Sequence, residues 1–483
     1  MINSSLLEIL RTFNREENKE FGRFVNSPYF NTKSAVIKLW KILSKYAPGY
    51  DSSLLKREAV YVKIFPGKKY NYGTMKNLVY DLTNLSERYL EFRKLEKSHF
   101  QRNIVLLNEL LDKSLLRLFQ NKYSALENKI KNNTLFYDNY YMDLNSLGWL
   151  RSDYEIYTSR QDKGNQNIHQ ISNNLIFSFL VDFFKAYNNI TAQNIEHIAE
   201  EKFDMGRQLL QNLDMENFLS YIKQGSEFDH KVISLYYSMF KALANNDEIK
   251  YYKNFKRSLE ENGHILSKNE KRNLYTCLEN SLINYRGREF IDKISQYHEI
   301  HKKMDSLDLI LYEKTLGAKD YAGAIRYAAI MKDVQFVEKF IKKYLPIITK
   351  EQRDSMNKYS LAFLHFAKNE YEKALEYAVK TNIDFLGIKY AIKNLQLMLF
   401  YELNDIESFL YTSDSFRHFL TNNKSISERI KYRYIKFIKY MNDLFRLKEN
   451  YSQYELNTLK AEIKLDHAAT QHWLLEKAEE LEN

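Results

Sequence analysis

The chain has 483 residues, 44% hydrophobic and 28% charged, which is a globular composition and excludes a disordered one. Its formal net charge is +10, and the single cysteine, Cys277, excludes an intramolecular disulfide and a cysteine-rich zinc site. Only 4 prolines and 13 glycines interrupt the backbone, so the sequence predicts an all-α protein.

Three prolines (Pro28, Pro48, Pro66) fall in the first 66 residues and only Pro346 follows. That asymmetry predicts an N-terminal helical module over 1–97, a helical connecting region over 98–200 and a repeat array over 201–483. Ser5 with Glu8, and Asn14 with Glu17, have the spacing of capping boxes. The second helix buries Phe21, Phe24 and Val25 and stops at "NSPYFN" (26–31). Thr32 is placed to cap a third helix carrying Val36, Ile37, Trp40 and Ile42–Leu43. A fourth is expected from Leu54 to Ile64, broken by "FPGKKYN" (65–71). A long helix follows from about Thr74, with Met75, Leu78, Leu82, Leu85, Tyr89 and Phe92 on one face. Residues 1–100 hold 18 Lys+Arg against 10 Asp+Glu, a surplus of 8 positive charges. A surplus of this kind favours an acidic partner or nucleic acid.

Next, Leu106, Leu107, Leu110, Leu111, Leu115 and Leu118 predict a strong apolar face. "RQDKGNQN" (160–167) is the best linker candidate. "NLIFSFLVDFF", from Asn174, is too short to span a bilayer and contains Asp182. The opening "MINSSLLEILRTFNREEN" lacks a basic leader, so a reducing, cytoplasmic setting is expected.

Two later segments match at a constant offset. "DYAGAIRYAAIM" (320–331) and "NEYEKALEYAVK" (369–380) align Tyr321 with Tyr371, Ala324 with Ala374, Ile325 with Leu375, Tyr327 with Tyr377 and Ala328 with Ala378. Weaker versions stand at 247–259, 288–300 and 404–416. Small residues permit two helix backbones to cross closely, and large tyrosines fill the gaps beside them. Such units bury their apolar faces only by stacking.

The segment "YSLAFLHFAKNEYEKALEYAVK" (359–380) resembles the tetratricopeptide-repeat class. Leu361–Ala362 lie in its first helix, Asn369 at the turn, and Tyr371 and Ala374 in the second. Lys358 stands where that class prefers a large apolar residue, and Leu386 where a proline is expected. "SPYFN" and "IFPGKKYN" look like the N-terminal signature of uncharacterised bacterial helical proteins, from which no function carries over. The tetratricopeptide resemblance implies a right-handed α-solenoid whose concave groove binds peptides or helices of other proteins.

Motifs for nucleotide, zinc-protease or acyl chemistry are absent. "PGKKY" (66–70) lacks the upstream glycine of a phosphate cradle and is expected to stop a helix. Ser53 in "SLLK" suits a helix start better than an acyl enzyme. His298, Glu299 and His301 could place two imidazoles on neighbouring turns, but a third metal ligand is not visible, so a solvated face is expected. His467 and His472, five apart, suit a helical site less well.

The most informative surface feature is "SERIKYRYIKFIKYMNDLF" (427–445). Arg429, Arg433, Lys436 and Lys439 follow helical spacing as a candidate basic binding stripe. Ile430, Ile435, Ile438 and Met441 can form its apolar face, with Tyr432, Tyr434 and Phe437 between. Lys68, Lys69 and Lys76 make a smaller basic cluster. Residues 74–92 expose a nearly neutral set, which argues against a DNA-reading helix. The leading expectation is a non-enzymatic scaffold or adaptor, without cofactor, that binds a protein partner. The alternative is nucleic-acid-linked regulation, for which the stripe should merge into one positive face and not pair with acids.

Overall fold

The computed structural model describes residues 4–158, 164–196, 205–381, 386–424 and 426–482. Among them lie 24 α-helices, short 3-10 turns and no β-strand; isolated bridges join Phe136 to Leu266 and Tyr312 to Thr315. The chain forms two compact units, Met1–Lys131 with Trp149–Asp162, and Asn132–Gly148 with Lys163–Asn483. The expected boundary near 200 and the first half of the linker candidate at 160–167 lie outside the described residues.

The first unit begins with α1 (Ser5–Arg11), α2 (Arg15–Asn26), α3 (Ser34–Leu43), α4 (Arg57–Ile64) and α5 (Tyr72–Lys97). α5 packs against α1, α2 and α3, and Phe13, Phe21, Trp40 and Tyr89 form its aromatic centre. Phe21 meets Trp40 edge-on at 4.8 Å between ring centroids. Met75, Leu78, Leu82, Leu85 and Tyr89 are buried as their spacing predicts, but Phe92 is exposed. The Asn14–Glu17 capping box forms: the Asn14 side chain accepts from the Glu17 amide at 3.0 Å and Glu17 accepts from the Asn14 amide at 2.7 Å. Such a cap stabilises by about 1 kcal/mol.

Two other caps differ from the sequence expectation. α1 starts one residue early, with Ser4 at its N-cap and no side-chain cap bond, so the Ser5–Glu8 box does not form. Thr32 does not cap α3; Asn31 orders that turn by donating to the Val25 carbonyl at 2.9 Å and accepting from the Lys33 amide at 3.0 Å. The fourth helix also starts late, at Arg57, because Ser52 caps a separate 3-10 turn over Ser53–Leu55. Gly67, at φ +77°, marks the stop expected of "FPGKKYN".

The unit continues with α6 (His99–Asp112) and α7 (Leu116–Lys131), which pack on each other. Only part of the predicted leucine face is covered. Leu107, Leu110 and Leu111 are buried, whereas Leu106, Leu115 and Leu118 are exposed. α8 (Tyr140–Tyr157) is divided: its residues to Gly148 belong to the second unit and those from Trp149 to the first.

The second unit holds α9 (Gly164–Glu196), α10 (Met205–Gln211), α11 (Met215–Gly225), α12 (Glu227–Ala244), α13 (Ile249–Asn262), α14 (Lys268–Asn284), α15 (Lys293–Ser306) and α16 (Ala318–Ile330). It continues through α17 (Val334–Tyr344), α18 (Lys350–Ala367), α19 (Tyr371–Lys380), α20 (Leu386–Glu402), α21 (Ile406–Asn422), α22 (Glu428–Glu449), α23 (Gln453–Leu465) and α24 (Gln471–Glu480). From α11 to α24 each helix packs against the next.

One turn geometry recurs. Lys332, Asn369 and Asn404, in steps of 37 and 35 residues, join α16 to α17, α18 to α19 and α20 to α21, with φ of +55°, +59° and +56°. In each, that residue donates to the carbonyl three back, and the next residue to the carbonyl five back: Asp333 to Ala328, Glu370 to His365 and Asp405 to Phe400, at 3.0, 2.9 and 2.8 Å. These bonds satisfy helix-end carbonyls in a Schellman closure. The 50-residue match in the sequence therefore equates a first helix, α16, with a second one, α19. What the two share is a neighbour: both pack against α18, and Ala324, Ala328, Ala374 and Ala378 are all buried. Small-residue spacing marks a close crossing, whichever helix of the pair supplies it.

The layer also curls back. α16 reaches past α18 to α20, and α24 packs on both α22 and α15. Trp473 is fully buried in this closure, its indole nitrogen donating to Glu402 at 3.1 Å. His472 meets Asp292 at 2.6 Å.

Candidate functional site

The predicted basic stripe of α22 splits in two. Its outward half pairs with acids: Lys436 lies 2.7 Å from Asp466 and Lys439 2.7 Å from Glu462. Asp466 also accepts from Tyr432 at 2.9 Å and from Tyr440. Ile435, expected on the apolar face, is exposed, while Phe437, Ile438 and Met441 are fully buried. The nucleic-acid reading needed a merged positive face, and these pairings remove its main support.

The inward half behaves differently. Arg429 donates to Asn284 Oδ1 at 3.0 Å and to the Ile283 carbonyl. Arg433 Nε donates to the His467 carbonyl at 3.3 Å. Beside them the buried Lys293 ammonium donates to the Tyr285 carbonyl at 2.9 Å. On α16, Arg326 donates to the Tyr327 hydroxyl at 2.8 Å and lies over that ring at 4.7 Å. All four cations thus have neutral partners. Each has a hydrogen-bond partner, and none of those partners is a carboxylate.

Two of these groups, Arg326 and Arg433, line a cleft of about 230 Å³ together with Lys319, and Arg429 and Lys293 lie outside its lining. Tyr297 from α15, Arg326 and Tyr327 from α16, Tyr359 from α18, and Arg433 and Tyr434 from α22 supply its polar and aromatic walls. No Asp or Glu lines it among the described residues. Glu279, which acts electrostatically on Tyr297, stands 3.3 Å from His301, and Asp292, next to Lys293, is engaged by His472. The Tyr297 hydroxyl is buried and has no hydrogen-bond partner; its ring stacks on Tyr327 at 4.5 Å. Asn394 and Thr470 close one side, Asn394 Nδ2 donating to Thr470 Oγ1 at 2.7 Å. Thr470 sits at φ +54°, a left-handed conformation that a β-branched residue adopts only where its surroundings enforce it.

The electrostatic consequences are local. Burial, then Arg433 and Arg429, hold the Lys293 ammonium well below its ordinary value. Burial, then Arg433 and Arg286, lower Arg429 to about 10. Burial and Lys293 lower the His467 imidazole to about 4. Each shift reports excess positive charge in a poorly solvated place. Arg326, which lines the cleft, moves the other way: burial would lower it, but Tyr327, Tyr434 and Tyr359 raise it above its ordinary value.

The remaining candidates have ordinary roles. His298 and His301 are buried, not solvated as expected, because α15 is covered on that side: His298 Nε2 contacts Asp333 at 2.9 Å and His301 Nδ1 faces the Tyr297 carbonyl at 2.9 Å. Among the described residues no group of three or more His, Cys, Asp or Glu is placed to hold a metal ion. Cys277 is buried, and burial pushes its thiol up to about 12, which makes it a poor nucleophile. Ser53 sits in the 3-10 turn, and Lys68, Lys69 and Lys76 are exposed. No helix among the described residues is long and apolar enough to cross a membrane.

Sequence reasoning found Arg429 and Arg433 but missed Arg326, Lys293 and Tyr297. Arg326 stands inside "DYAGAIRYAAIM", a lone charge in a run of small and aromatic residues, and that was its available signal. No protein-family model matches the chain, and neither does any curated protein or solved structure. The tetratricopeptide resemblance therefore rests on the residues quoted for it.

Proposed function

We propose that this protein is a non-enzymatic adaptor of cytoplasmic setting, a TPR-like right-handed helical array that recognises an anionic group of a protein partner in the cleft. One observation carries the reading. Arg326 and Arg433 line a cleft whose described lining has no carboxylate, both have neutral hydrogen-bond partners, and Arg433 acts electrostatically on Arg429 and Lys293 outside that lining. The recurring helix-pair turn and the stepwise packing of α11 to α24 agree with an array that presents such a surface. A cleft of about 230 Å³ admits a side chain or a chain terminus, not a whole helix. Nucleic-acid association is the weaker reading, since Lys436 and Lys439 pair with Asp466 and Glu462.

The test is affinity capture of the tagged full chain from its native lysate, with and without nuclease, alongside Arg326→Ala and Arg433→Ala variants shown to be helical by circular dichroism. A protein that persists through nuclease and is lost from both variants supports the adaptor. Partners that disappear with nuclease, or that both variants retain, would overturn it.

A further inference from the structure

We infer that the group entering the cleft is a phosphate monoester, its phosphoryl dianion seated by Arg326 and Arg433 and its ester-bearing part against Tyr327, Tyr359 and Tyr434. This deepens the adaptor reading and rests on the cleft being its recognition site.

Charge is the first argument. Arg326 and Arg433 line the cleft, Arg433 and Arg429 act electrostatically on Lys293, and Arg433 acts on Arg429. A carboxylate brings one negative charge to this group. A phosphate monoester brings close to two at neutral pH and spreads them over three acceptor oxygens. Guanidinium groups match that geometry, since each offers parallel N–H donors to neighbouring oxygens. Arg326 donates through Nη2 to the Tyr327 hydroxyl and also bonds Tyr434, and Arg433 donates through Nε to a backbone carbonyl; a guanidinium carries five N–H donors, so further ones remain on each.

The second argument is an orphan. The Tyr297 hydroxyl is 3% exposed as a residue, lines the cleft and donates to nothing. Leaving a buried hydroxyl unpaired is costly, and an oxyanion in the cleft would be its acceptor. The third is size and wall chemistry. About 230 Å³ holds a phosphoryl group with a short organic stem, and the stem would lie on the aromatic faces of Tyr327, Tyr359 and Tyr434.

The experiment is calorimetric titration of the full chain at pH 8 and fixed ionic strength with phenyl phosphate, inorganic phosphate and acetate. Phenyl phosphate is expected to bind most tightly, with acetate at least about tenfold weaker. Arg433→Gln should weaken phenyl phosphate at least about tenfold. Tyr297→Phe is the second variant, and it separates ligand binding from structure. Removing an unpartnered buried hydroxyl should hold or raise the melting temperature of the free protein, while phosphate affinity falls several-fold. Inorganic phosphate equal to phenyl phosphate would sink the ester and leave a free ion as ligand. Acetate equal to phosphate would sink the dianion yet leave an acidic partner standing. Phosphate binding unchanged in both variants would place it elsewhere and overturn the inference. The adaptor reading falls separately, if the captured partner persists with Arg326→Ala and Arg433→Ala.

Discussion

The Tyr359 hydroxyl donates to the carbonyl oxygen of Ala322, 3.1 Å away, so a side chain of α18 rests on the backbone of α16. One residue on either side, Tyr321 and Ser360 share a hydroxyl–hydroxyl bond of 2.8 Å across the same contact. Backbone and side chain meet this closely only where nothing bulky intervenes, and Ala324 and Ala328 are fully buried in the same helix. Ala328→Leu should therefore overpack the crossing and cost about 1–3 kcal/mol. Urea unfolding measures this; an unchanged midpoint would show that the crossing is looser than its hydrogen bonds imply.

Lys332 occupies a left-handed turn position without being glycine or asparagine, unlike its equivalents Asn369 and Asn404. Lys332→Gly should relieve the conformational cost and stabilise by about 0.5–1 kcal/mol. Its ion pair with Glu476 is partly exposed and offsets little of that gain. Lys332→Val should do the opposite, since branching at Cβ disfavours positive φ. The two melting temperatures should bracket that of the parent, and reversal of their order would refute the turn assignment.

His472 and Asp292 fasten α24 to α15 as a titratable pair. The hydrogen bond with Asp292 holds the His472 imidazole above its ordinary value. Burial, the largest single influence, would raise the Asp292 carboxyl, but the bond and charge of His472 and the Ser295 and Ile294 amides together outweigh it and the value falls. The histidine's contribution is full below the ordinary imidazole range and is lost as pH rises through its raised value. The carboxylate's is full above the ordinary carboxylate range and is lost as pH falls through its lowered value. Stability from this pair, about 1 kcal/mol, should thus peak in between. His472→Asn should flatten the alkaline side of a stability–pH curve; a curve of unchanged shape would contradict the pairing.

Lys477 is 3% exposed and sits 2.8 Å from both Glu402 and Glu480. Glu402 also receives Trp473 Nε1. Lys477→Ala would leave Glu402 buried without its cation, at a cost of about 3–5 kcal/mol. Hydrogen exchange should then rise over 471–480 before it rises in α18. Exchange unchanged in α24 would mean that Trp473 alone secures the helix.

Helix content was readable because apolar spacing and scarce prolines point the same way, and the Asn14–Glu17 box was readable because both partners are local. The cap at α3 was not, since Asn31 acts through Val25, on the preceding helix. The recurring turn was not legible: alanine spacing reveals close crossings, but the geometry shared by Lys332, Asn369 and Asn404 occurs where residue identity varies. The cleft was legible at Arg433, and its neighbour Arg429, only as part of a stripe. Their separation from Lys436 and Lys439 depends on Asp466 and Glu462, contributed by the end of the next helix and the turn after it. Such partners are set by tertiary packing, which spacing along one helix does not encode.

The bond between Asp292 and His472 spans 180 residues, and translation proceeds in one direction. The walls on α15 and α16 leave the ribosome long before α24 can dock on them. A nascent chain therefore has Tyr297 and Arg326 before Arg433 on α22 and before the closure by α24, so the walls of the cleft are completed only near the end of synthesis.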